Sequence, residues 1–176
     1  MLAEHLDKAW SAWRQSTEID SVMRFAEDGL IFGAGTVLAK SDPSSRQISI
    51  DLSEPRLQTL LTVAHLRAPT SMELAHLGKA AKCWNEGQDA LAAMHLALSR
   101  LDRLKQSEAD AHRVFLADGL LKYGIEADAV VAAIEAGPPS FGSLRKYDPD
   151  QPRVSAGNGR QSGQWTSGGK IGRAHV

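Results

Sequence analysis

"IDSVMRFAEDGLIFGAGTVLAK" (residues 19–40) decides the fold class of this chain. Ile19, Val22, Met23 and Ala26 recur in steps of three and four, as Leu2, Leu6, Trp10 and Trp13 do upstream. That spacing predicts a helix over 2–28 with each set on one face. Three glycines in the next seven residues argue against its continuing. Residues 29–40 therefore read as a buried loop or a short strand. "SDPSSRQ" (41–47) is loop chemistry, and "ISI" (48–50) could make a minor strand.

Helix signals strengthen from residue 54. Pro55 stands where a helix begins and where its missing N–H costs nothing. Thr70-Ser71-Met72-Glu73 is a capping-box pattern opening a helix to about Asn85, with Gly87 just beyond. "DALAAMHLALSRL" (89–101) is a further helix, followed by one that Ser107 caps, running to Tyr123 and stopped by Gly124. A last helix, "ADAVVAAIEAG", ends at Gly137 before Pro138-Pro139. The expected fold is mainly α: a small antiparallel helical bundle in residues 54–136, preceded by an N-terminal helical segment and loop in 1–53. Its expected core is Leu57, Leu60, Leu61, Leu74, Leu77, Leu91, Met94, Leu98, Phe115, Leu116, Leu120, Val131 and Ile134.

The chain has 176 residues, 43% hydrophobic and 23% charged, ordinary values for a globular domain. Residues 1–136 carry 14 Lys+Arg against 19 Asp+Glu; residues 137–176 carry 6 against 2. That asymmetry is too weak and dispersed to argue for nucleic acid. Cys83 is the only cysteine, so no disulfide framework or Cys-x-x-Cys metal knuckle exists, which fits a reducing cytoplasm. No stretch approaches the length of an apolar membrane span, and the acidic N-terminus is unlike a secretory signal.

Leu74, Leu77, Gly78 and Ala81, followed by Ala90, Met94 and Ala97, match the spacing of a tetratricopeptide helix pair, with Ala81 in place of the usual aromatic. Any antiparallel hairpin uses small residues in the same way. His65, His76, His95 and His112 all fall on predicted helices, yet no two stand four apart as in a helical metal site. Glu73 and His76 form one Glu-x-x-His pair, but a di-iron bundle needs two. Trp10, Trp13 and Trp84 read as core anchors, and Cys83 as a small buried hydrophobe. No catalytic residue, cofactor site or metal site is assigned on these patterns.

"KYDPDQPRVSAGNGRQSGQWTSGG" (146–169) resembles a linker of uncharacterised alphaproteobacterial proteins, in which a small helical region runs into a Pro-Arg-Val-x-Ala-Gly…Gly-x-Trp-Thr segment. "HLGKAAKCWNEGQDALAAMHLALSRL" and "FLADGLLKYGI" resemble the same group, so the likeness spans roughly residues 54–169. Ser155 stands where the group has proline. The resemblance implies a helical module joined to a further C-terminal region, some of prophage or toxin type. Residues 137–176 hold 8 of the 15 glycines and 4 of the 7 prolines, and 137–170 read as a disordered linker, Trp165 being its candidate anchor. The final Ile171-Gly172-Arg173-Ala174-His175-Val176 back-translates to the start of a common short-read sequencing adapter, so an artefactual end is expected there. The expected function is a non-catalytic interaction or placement module whose partner is another protein or a C-terminal region of its own. Two other readings are the N-terminal part of a toxin or hydrolase, and a stand-alone immunity or regulatory protein.

Overall fold

Val22 and Arg24 face outward while Met23, between them, is buried and Phe25 is half-buried. That alternation is the period of a strand, and a computed structural model, which describes residues 2–135, has strands where the helix was expected to continue. Helix α1 (Leu2–Ser16) stops before them. Strands β1 (Asp20–Ala26), β2 (Gly29–Gly33) and β3 (Thr36–Lys40) form an antiparallel meander in the order β1-β2-β3. The fold is thus mixed α and β, and the expectation of a mainly α helical bundle is wrong. Steps of three and four among four residues also occur by chance in an alternating strand. The β-branched and aromatic content of Val22, Phe25, Ile31 and Phe32 favours the extended form.

Of the two readings of residues 29–40, buried loop or short strand, the second holds, twice over, with glycines at the turns. Gly29 has φ +135°, and a Cβ there would lie 2.0 Å from the Ala39 carbonyl oxygen, so β2 and β3 can approach only with glycine at that position. Beyond β3, residue Ile48 bridges back to Ser41, which leaves "ISI" as a single bridge rather than a strand.

Five further helices follow: α2 (Pro55–His65), α3 (Ser71–Asn85), α4 (Asp89–Ser99), α5 (Ser107–Lys122) and α6 (Ala127–Glu135). Pro55 opens α2, the Thr70/Glu73 capping box forms on α3, and Gly124 takes φ +83° after α5. Ser107 is not the cap expected of it; Gln106 occupies that position without a side-chain bond. Helix α5 lies along the sheet and also packs against α1, α2 and α6. Met23, Leu30, Phe32 and Leu38 from the sheet share one core with Leu57, Leu60 and Leu61 of α2, Val114 of α5 and Val130 of α6. Leu6 brings α1 against Gly119 of α5. The exposed edge of β1 is covered by the segment after α4: Met23 N–H donates to the Asp102 carbonyl at 2.7 Å and Leu104 N–H to the Ser21 carbonyl at 2.9 Å.

Of the expected core, Leu57, Leu60, Leu61, Leu77 and Leu116 are buried, and Leu74, Phe115, Leu120, Val131 and Ile134 are half-buried. Leu91, Met94 and Leu98 are not core at all; all three are exposed. The expected linker at 137–170, its anchor Trp165 and the six terminal residues lie outside the described residues.

Candidate functional site on the helical hairpin

The α3–α4 hairpin is built by local rules. Thr70 Oγ1 accepts from the Glu73 N–H at 3.3 Å, and the Glu73 carboxylate accepts from the Thr70 N–H at 2.8 Å. Arg67 clamps the same carboxylate with two bonds of 2.6 and 2.8 Å. The guanidinium first, and then the Thr70 N–H, hold the Glu73 carboxyl down at about 2. At the other end Gly87, with φ +74°, turns the chain back. Trp84 stacks on Phe25 of β1 at 5.1 Å, and Asn85 both accepts from the Ile48 N–H and donates to the Ile48 carbonyl.

Helix α4 packs on α3 and on no other helix or strand to a comparable extent. Its inner side is Ala92, Leu96 and Ser99. Its outer side is Ala90, Leu91, Ala93, Met94, Ala97 and Leu98, every one exposed and none polar. Leu91, Met94 and Leu98 keep 44, 46 and 50% of their surface in water, and Met72, at the start of α3, keeps 74%. Beyond Asp89 in its first turn α4 exposes no polar side chain, and a helix apolar over most of its circumference normally has that circumference covered. This one has half.

Two histidines meet in the seam of the hairpin. His76 of α3 and His95 of α4, both half-buried, point their Nδ1 atoms at each other across 3.1 Å. Spacing along one helix does not reveal this pair, because each helix contributes one ring. The signal that does is the antiparallel register about Gly87, which sets residues before and after the turn level with each other. Glu73, three residues before His76, is engaged by Arg67 and Thr70.

The other histidines are tied into the fold. His65 Nε2–H donates to the Leu101 carbonyl at 3.1 Å, and the ring lies over Phe32; burial pulls its pKa below the ordinary histidine value. His112 stacks on Trp10 at 4.6 Å, with Trp13 and Phe115 completing the aromatic cluster against Trp10. Its Nε2 is buried without a hydrogen bond, 3.8 Å from Asp7, and burial lowers its pKa against the pull of Asp7 and Glu108. Cys83 is half-buried. Among the described residues no three His, Cys, Asp or Glu side chains converge in a metal cluster, and no helix is long and apolar enough to cross a membrane. An open groove of about 430 Å³ runs between Ile48–Ile50 and Gly78, Ala81 and Lys82 of α3. No family model, curated protein or solved structure matches this chain.

Proposed function

We propose that this chain is a non-catalytic protein-interaction module that docks an amphipathic helix of another protein on the outer face of α4. The observation that carries this is the apolar stripe of Leu91, Met94 and Leu98, each about half in water on a helix whose only exposed polar residue is Asp89 in its first turn. Burying the exposed half of each gains about 1 kcal/mol. Leu91 to Leu98 spans about 10 Å, two turns, one helix wide. Alanines 90, 93 and 97 beside the three large residues form ridges and grooves that another helix can enter. An apolar stripe without charge selects a partner by shape and hydrophobicity.

The resemblance of residues 54–169 to alphaproteobacterial helical proteins supports the same role, that of placing what the module is joined to or bound by. Cytoplasmic residence belongs to the proposal and rests on the single cysteine. A photoreactive residue in place of Met94, irradiated in the source cell, tests the reading. The expected product is an adduct with one protein, mapped to a segment whose apolar residues recur every three and four positions, and lost in Leu91→Lys/Leu98→Lys. An adduct only with a second copy of the chain, only with lipid, or with no defined segment overturns it.

A further inference from the structure

We propose that His76 and His95 form a chelating pair for a borderline divalent cation of the zinc, copper and nickel class. The two Nδ1 atoms stand 3.1 Å apart. A zinc ion about 2.05 Å from each nitrogen would see them at an angle of roughly 100°, between the octahedral and tetrahedral values. The rings meet at 32° with centroids 5.4 Å apart, so the two Nδ1 atoms face each other along the line between the ring centres, and each ring turns by roughly 40° to bring its lone pair onto a shared ion. Each ring is on a separate helix, and the hairpin that carries them is fixed by the Thr70/Glu73 capping box, the Gly87 turn and the packing of α3 on α4, in which Ala80 and Ala92 are buried. Binding therefore orders little that is not already ordered.

Imidazole nitrogen suits this class of ion and not magnesium or calcium, which prefer oxygen. Among the described residues no third side chain completes a ligand set, and both rings are half-buried, so water supplies the remaining positions from the open side. Glu73, one turn before His76, is held by Arg67 and Thr70, and Lys79, one turn after it, is exposed. Without an ion, one ring donates its Nδ1–H to the other ring's Nδ1. Coordination uses both Nδ1 lone pairs, so the donating ring moves that proton to Nε2 through water.

The test is calorimetric titration of the untagged, full chain with zinc chloride, with magnesium chloride as the comparison. Zinc is expected to bind at one ion per chain and magnesium not to bind. His76→Ala and His95→Ala should each weaken zinc on the order of tenfold or more, the lower bound set by what losing a mere supporting partner costs. His5→Ala, on α1, should leave it unchanged. Circular dichroism checks each fold, and His76→Asn and His95→Asn replace any alanine variant that misfolds. One ion per two chains, still lost in the His76 and His95 variants, also supports the chelating pair, with a second copy in place of water. Zinc binding untouched by both substitutions, or no stronger than magnesium binding, overturns the proposal.

Discussion

Arg56 on α2 reaches Asp118 on α5 at 2.6 Å, and the same guanidinium donates to the Val37 carbonyl at 2.8 Å. One side chain thus ties β3, α2 and α5 together, and Lys122 meets the other carboxylate oxygen at 2.7 Å. The Asp118 side chain is only 9% exposed, so its loss leaves a largely buried cation without its partner. Asp118→Ala is expected to cost about 2–3 kcal/mol in urea unfolding. Arg56→Lys should lose part of this, since an ammonium cannot serve carboxylate and carbonyl in one plane.

The meander stands on Gly29. Gly29→Ala forces a Cβ into the Ala39 carbonyl at a backbone angle that L-residues rarely adopt, and should destabilise by at least about 2 kcal/mol. Gly35→Ala, with φ +74° and open space around it, should cost about 1 kcal/mol. Equal losses at the two sites in chemical denaturation would contradict this strand pairing.

Two leucines two residues apart on α4 should behave in opposite ways. Leu98 is 50% exposed and Leu96 is 5% exposed. Leu98→Asp should fold with helicity unchanged and stability within about 1 kcal/mol of the parent. Leu96→Asp should lose roughly 4 kcal/mol or more, because an unpaired carboxylate enters the core. Circular dichroism melts of both variants check the assignment of the two faces.

Acid should loosen the start of α3. The Glu73 carboxyl lies at about 2 in the folded chain against an ordinary 4.5, so the folded state favours the ionised form. A depressed folded value stabilises above the unfolded value and is lost as pH falls through the folded one. Stability should therefore decline between about pH 4.5 and pH 2. Asp42 and Asp51, also lowered by bonds from their neighbouring serines, contribute to the same limb. The Glu73 share is read as the difference from Glu73→Gln, whose acid limb should be shallower. Superimposable limbs would show that the Arg67 clamp does not persist in solution.

The helices beyond residue 54 were legible because they obey local rules: a proline at Pro55, a capping box at Thr70 and Glu73, and glycines at Gly87 and Gly124. The sheet was legible only in part. β1, seven residues long, is too short for its alternation to outweigh a coincidental helical spacing, and β2 and β3 fall in residues 29–40, whose glycines left a buried loop and a short strand both open. The outer face of α4 was misassigned for a different reason. Leu91, Met94 and Leu98 have core-like character, and sequence shows hydrophobicity without showing which side meets the rest of the chain. The His76–His95 pair depends on contact between two helices, which the spacing within either one does not encode.

Whether the outer face of α4 is covered in the cell can be read from its methionine. Met94 is 46% exposed, Met72 is 74% exposed and Met23, in the core, is 2% exposed. In the purified protein, peroxide should convert Met94 and Met72 to sulfoxides quickly and Met23 slowly. The account predicts that in intact source cells Met94 becomes protected several-fold relative to the purified protein, and that Leu91→Lys/Leu98→Lys abolishes the protection. Oxidation of Met94 at the same rate in cells and in buffer would contradict it.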